Sequence, residues 1–134
     1  MSTLIRFSLP LPPSVNQQYA TVNGRRVLSR AARAWRAEAR LALSGLELPP
    51  ALQATLRHGY VALFLDVYFA TPLRRDLDGG LKITLDAICE ALGVDDRRVV
   101  DIHLLKRIDP LRPRIEVELE ALANWQFDET RPVL

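Results

Sequence analysis

The segment His58–Ala70 (HGYVALFLDVYFA) constrains the fold of this chain more than any other. Val61, Leu63, Leu65, Val67 and Phe69 alternate with Tyr60, Ala62, Phe64, Asp66 and Tyr68. Successive side chains of an extended segment point to opposite faces, so both faces of this strand are largely apolar. Such a strand belongs inside a sheet, covered over at least part of each face. The rest of the chain has to be arranged around it.

Residues 3–9 (TLIRFSL) read as another strand, ended by Pro10 and Pro12-Pro13, which have no amide hydrogen to give a ladder. Asn23-Gly24 predicts a two-residue hairpin turn with arms Tyr19–Val22 and Arg26–Leu28. Ser29 suits the N-cap of a helix from Arg30 to about Gly45. At 100° per residue, Ala31, Trp35, Ala39, Ala42 and Leu46 share a face that would pack on a sheet. Arg30, Arg33, Arg36 and Arg40 share the other face, which suits either a phosphate track or a solvated surface. Leu48-Pro49-Pro50 opens a connection to the central strand.

Residues 78–92 read as a second helix with Leu81, Leu85, Ile88, Cys89 and Leu92 inward. Two strands follow, over about 98–107 and 113–121. In the last, Ile115, Val117 and Leu119 point inward, and Arg114, Glu116, Glu118 and Glu120 outward. The order predicts one α/β (α+β) domain over residues 1–123, a single layer of two helices packed on a small mixed β-sheet. Residues 124–134 form a C-terminal tail, whose Trp125 and Phe127 are available to dock on the body or on a partner chain.

A chain of 134 residues suits one domain. No apolar run approaches the ~20 residues that span a bilayer, and the opening MSTLIRFSLPLPPS is too proline-broken for a signal peptide. Its single cysteine, Cys89, excludes an intramolecular disulfide. The expected location is cytoplasmic, with no membrane partner. Net charge is only +2, but it is unevenly spread. Residues 1–60 carry eight arginines against two glutamates, whereas residues 61–134 carry ten basic and fourteen acidic residues. A basic front half beside an acidic back half suits a protein that grips a polyanion and holds a cation.

Arg74-Arg75-Asp76-Leu77-Asp78 lies at the junction of the central strand and the second helix. Residues two apart in an extended segment point the same way, so Asp76 and Asp78 can converge. Close carboxylates repel unless a cation or a shared proton intervenes. Mg²⁺ takes one or two carboxylates together with water and substrate phosphate, and such an ion activates water for phosphodiester hydrolysis. An aspartate at a helix start is equally a cap. Three neighbours favour the metal. Lys82, one turn after Asp78, could contact phosphate or form an i,i+4 pair. Arg74 and Arg75 suit an approaching anion. Asp95-Asp96, in the loop after the helix, offers a third carboxylate if that loop folds back. Asp86 lies about 12 Å along the helix from Asp78, so it reads as a partner that fixes Lys82. His58 and His103 show no zinc spacing, Cys89 reads as core, and neither a nucleophile elbow nor a glycine-rich phosphate loop is present.

Arg75-Asp76-Leu77-Asp78, Lys82, Leu85-Asp86-Ala87 and Val94-Asp95-Asp96 through Val99-Val100 resemble the RusA family of Holliday-junction resolvases. Pro10–Asn16 followed by Tyr19, and Ser29 leading into Ala31-Ala32 and Trp35-Arg36, resemble it too, so the likeness runs from about Phe7 to Leu122. The resemblance implies a homodimer that binds four-way DNA junctions and nicks two strands symmetrically with Mg²⁺, or with Mn²⁺ in its place, in DNA recombination and repair. By position it implies Asp76, Asp78 and Asp96 as catalytic metal ligands, rather than Asp95, with Lys82 as the essential basic residue. Arg30, Arg33, Arg40, Arg74, Arg75 and Lys82 would face DNA. One departure stands out. The family usually has Asn and an aliphatic residue after the second Asp, where this chain has Gly79-Gly80. That pair motivates an alternative, a catalytically impaired junction-binding module.

Overall fold

A computed structural model describes residues 3–129. The chain runs β1 (Leu4–Pro10), β2 (Tyr19–Val22), β3 (Arg25–Leu28), α1 (Arg30–Ser44), α2 (Pro50–His58), β4 (Tyr60–Phe69), α3 (Leu81–Leu92), β5 (Val99–Ile108) and β6 (Arg114–Leu122). Short 3₁₀ turns at Val15–Gln17 and Asp96–Arg98 precede β2 and β5.

The expected central strand is β4. It lies between β6, antiparallel, and β5, parallel, in a four-stranded sheet of order β1-β6-β4-β5. Register places Leu63 opposite Leu119, Leu65 opposite Val117 and Val67 opposite Ile115. On β1, Phe7 and Leu9 meet Val117 and Ile115. These residues form one apolar face. Ala32, Trp35, Ala39 and Leu43 of α1, Leu52 and Leu56 of α2, and Ile83, Ala87 and Ile88 of α3 join them in a single core. The opposite face carries Asp66, Tyr68, Arg107, Arg114, Glu116 and Glu118, cross-linked by ion pairs and by Arg114 lying over the Tyr68 ring.

Among the described residues three helices, not two, cover the sheet. The Pro49-Pro50 pair that reads as a connection starts α2, because proline is well placed in a first helical turn, where its missing amide hydrogen has no partner to lose. On α1 the buried stripe is Ala32, Trp35, Ala39 and Leu43, while Ala31 and Ala42 are exposed. The alanines left two stripes nearly equivalent, and Leu43 together with the Trp35 indole, which donates to the Pro10 carbonyl at 2.7 Å, selects the rotated one. The expected hairpin forms with Asn23 (φ 52°) and Gly24 (φ 75°) both left-handed, as its tight turn requires. Ser29 caps α1, accepting from the Ala32 amide. Helix α3 begins at Leu81, three residues after its expected start, because residues 76–80 form hydrogen-bonded turns instead. In the tail, Phe127 packs edge-on against Tyr60 with ring centroids 5.3 Å apart. Residues 130–134 of that tail lie outside the described residues.

Candidate active site

The connection from β4 to α3 carries the candidate site residues Asp76 and Asp78. Asp76 and Asp78 sit in successive turns, the Gly79 amide donating to the Asp76 carbonyl (3.2 Å) and the Leu81 amide to that of Asp78 (3.1 Å). Both side chains are exposed. Asp66, Asp86, Asp95, Asp96, Asp101 and Asp109 are each paired with a basic side chain. Asp76 and Asp78 have no such partner among the described residues. Capping does not account for them either: the N-cap of α3 is Gly80, with no side-chain cap bond. Asp76 instead lines an open cavity of about 370 Å³ with Ser14, Asn16, Arg74 and Arg75.

Lys82 lies one helical turn on. Its ammonium is 2.8 Å from Asp86 Oδ1 and 3.4 Å from Asp96 Oδ2, so the loop after α3 folds back and the Asp86 contact fixes the lysine. Hydrogen bonding and charge from Asp86, then Asp96, raise the Lys82 ammonium above its ordinary value, keeping it protonated. Asp95 turns elsewhere. Arg97 grips both of its oxygens and holds the carboxyl down at about 2. Cys89 is buried core, its thiol pushed up to about 11 by burial.

The turn is clamped from several sides. The Arg75 guanidinium donates to the Pro12 carbonyl (2.7 Å) and lies over the Phe69 ring, and its half-burial lowers its pKa from the ordinary value. The Lys106 ammonium donates to the Arg75 carbonyl (2.8 Å). Pro12 packs so closely on Gly80 that a methyl group there would overlap the proline ring. Gln18, 3% exposed, donates through Nε2 to the carbonyls of Pro13 (2.8 Å) and Gly79 (2.9 Å). Gln18 and Lys106 carry no sequence signal, since an isolated polar residue has no periodicity, and the Pro12 contact shows only in three dimensions.

The expected basic residues divide. Arg30, Arg33 and Arg74 are exposed and have no partner among the described residues. Arg40 pairs with Glu90 of α3 (3.2 Å), as does Arg36 (3.0 Å), so half of the α1 stripe ties two helices together. Arg75 is turned inward. The Ser29 amide at the start of α1 donates to the Gln18 carbonyl, so α1 and the Gly79 turn before α3 both begin beside Gln18. Arg30 and Arg33, in the first turn of α1, therefore lie toward the end of the molecule that carries Asp76 and Asp78.

Hard carboxylate oxygens, exposed and unpaired, suit Mg²⁺. Asp76 and Asp78 meet that requirement, whereas Asp96 is exposed but paired with the Lys82 ammonium. Among the described residues no three His, Cys, Asp or Glu side chains converge closely enough to hold an ion by themselves, so water and substrate phosphate would complete its shell.

Residues 10–120 match the family described as Endodeoxyribonuclease RusA. The chain belongs to that family. Membership supports, in general terms, an endonuclease that resolves Holliday junctions and binds branched DNA. No curated protein matches the chain. Among solved structures, 2C-methyl-D-erythritol 2,4-cyclodiphosphate synthase from Plasmodium vivax is similar over 89% of this chain and 92% of its own, at 15% identity and a TM-score of 0.31. That likeness is too low to bear on chemistry. No helix among the described residues is long and apolar enough to cross a membrane.

Proposed function

We propose that this protein is a Mg²⁺-dependent endonuclease that resolves four-way DNA junctions by paired, symmetrical phosphodiester hydrolysis, acting as a homodimer in DNA recombination and repair. The observation that carries the reading is the Asp76–Asp78 pair, exposed and without a basic partner, while every other described aspartate of the folded body, up to Asp109, lies against an Arg, Lys or His side chain. An ion held by Asp76 and Asp78, with Asp96, would supply water activation and neutralise phosphate charge. Lys82, kept protonated and aimed by Asp86, stabilises negative charge developing on the cleaved phosphate. Arg30, Arg33 and Arg74 attract the backbone on approach. Arg40 and Arg75 act mainly by holding the surface in shape. A junction has two equivalent strands to cut, and a two-fold dimer presents two equivalent sites.

The Gly79-Gly80 pair does not favour an impaired binding module. Gly80 is where Pro12 closes on the turn, so its lack of a side chain has a packing reason. The test is cleavage of a labelled synthetic four-way junction with Mg²⁺ or Mn²⁺, beside linear duplex and the Asp78→Asn variant. Paired nicks confined to the junction and lost in the variant are expected. Nicking by Asp78→Asn at the parent rate would overturn the assignment, and junction binding without nicks would leave only the binding module.

A further inference from the structure

We infer that Gln18 is a positioning residue for the acidic turn, holding Asp78 in place through the Gly79 carbonyl. The inference rests on the reading of Asp76 and Asp78 as metal ligands. Its motive is a mismatch. Metal ligation needs carboxylates held to a fraction of an ångström, yet the residues that follow Asp78 are Gly79 and Gly80, the residue type with the most backbone freedom. Stiffness has to come from outside the turn.

Gln18 is placed to give it. The side chain is buried, and its amide nitrogen faces two carbonyl oxygens, those of Pro13 and Gly79. Only the NH₂ end can serve both, so the amide orientation is fixed by chemistry. Its backbone carbonyl accepts from the Ser29 amide at 2.8 Å, and the Ser29 hydroxyl donates to the Gln17 carbonyl at 2.6 Å. The side chain thus ties Pro13 to the Gly79-Gly80 peptide, and the main-chain carbonyl of the same residue ties both to the N-cap of α1. These segments are 61 residues apart at the longest link. Buried amide bonds of this kind are strong locators, because breaking one strands a carbonyl away from water. Pro12 on Gly80 and Arg75 on Pro12 hold the flanks, and Gln18 holds the carbonyl of Gly79, the residue that follows Asp78.

The test uses Gln18→Met, which keeps length and apolar bulk and removes both donors. Mn²⁺ binding to the DNA-free protein is read by electron paramagnetic resonance, and junction cleavage is titrated with Mg²⁺. We expect Mn²⁺ affinity to fall and half-saturating Mg²⁺ to rise by about 10- to 100-fold, as for other residues that orient metal ligands, with metal-free junction binding unchanged. Adding Gly79→Ala, which stiffens the turn from within and has room for its methyl, restores part of the Mn²⁺ affinity. Parent-like Mn²⁺ binding in Gln18→Met, or a double variant no tighter than the single one, overturns the inference. Should Gln18→Met fail to fold, hydrogen exchange at the Gly79 and Leu81 amides of the parent decides. Slow exchange supports a held turn, and exchange as fast as in an open loop overturns it. Asp78→Asn run alongside separates the two claims. If it binds Mn²⁺ and cleaves normally, the reading of the site fails, whereas a dead Asp78→Asn beside a normal Gln18→Met removes only the role of Gln18.

Discussion

The Arg75 guanidinium reaches back across 63 residues to the Pro12 carbonyl, so two adjacent arginines do opposite jobs. Arg75 is a fastener and Arg74 an exposed cation. Arg75→Ala leaves a partly buried carbonyl without its donor and should cost about 1–3 kcal/mol in a urea denaturation. Arg74→Ala should stay within about 0.5 kcal/mol of the parent. In a salt titration of junction binding, Arg74→Ala should lower the log–log slope by about 1.

The two glycines of the turn are not equivalent. A methyl group on Gly80 overlaps the Pro12 ring, whereas on Gly79 it sits 3.4 Å from the nearest atom, the Asp76 carbonyl oxygen. Gly80→Ala should therefore destabilise by about 1–3 kcal/mol through overpacking. Gly79→Ala should be neutral or stabilising by up to about 1 kcal/mol, since it restricts mainly the unfolded chain. Equal melting temperatures for the two variants would contradict the close approach of Pro12.

On the proposed reading Lys82 serves the chemistry and Asp86, its ion-pair partner, supports it. Lys82→Met should slow cleavage by about 10²–10³-fold, the usual loss when a charge-stabilising donor is removed. Stability should change little, because the pair is exposed and screened by solvent. Asp86→Asn keeps the ammonium but loosens its aim, so single-turnover rates should fall by less than in Lys82→Met. A larger loss in Asp86→Asn would make the aspartate itself the acting group.

Asp95 and Asp96 are neighbours with separate fates, and pH distinguishes them from the fold side. Arg97 lowers the Asp95 carboxyl from an ordinary 3.8 to about 2. A carboxyl depressed by folding stabilises the native state fully above its unfolded value, and loses that contribution as pH falls through the folded one. Acid unfolding of the parent should thus include a component between about pH 4 and pH 2 that is missing in Asp95→Asn. At neutral pH Asp95→Asn should cleave junctions normally, while Asp96→Asn should not.

Strong local signals made much of this molecule legible. The alternation from Val61 to Phe69 and from Ile115 to Leu119 located two sheet strands, and Asn23-Gly24 located the hairpin, because each rests on neighbours in sequence. The register of the Ala-rich helix was not legible, because alanines leave a face ambiguous until Leu43 and Trp35 find their partners. Helix α2 was hidden because prolines mark both a break and a first turn. Of the candidate site, Asp76, Asp78 and Lys82 are proposed from spacing and resemblance, and the Lys82–Asp86 pair was legible from helical periodicity. The inward turn of Arg75, the Glu90 ties of Arg36 and Arg40, and the Gln18 bridge were not, because all of them join distant segments.

The sheet order has a consequence for how such a chain comes together. Among the described residues β6 is the last strand in sequence, yet it is the only hydrogen-bonded neighbour of β1 and one of the two neighbours of β4. As synthesis proceeds, β1 waits with its pairing groups unmatched until β6 has emerged, and closure then joins Leu4 to Glu120 across nearly the whole chain. Long-range closure of this kind is slow, and unpaired edges in the meantime invite aggregation. A product that lacks β6 cannot complete the four-stranded sheet, so it leaves β1 without its strand partner and β4 with one open edge.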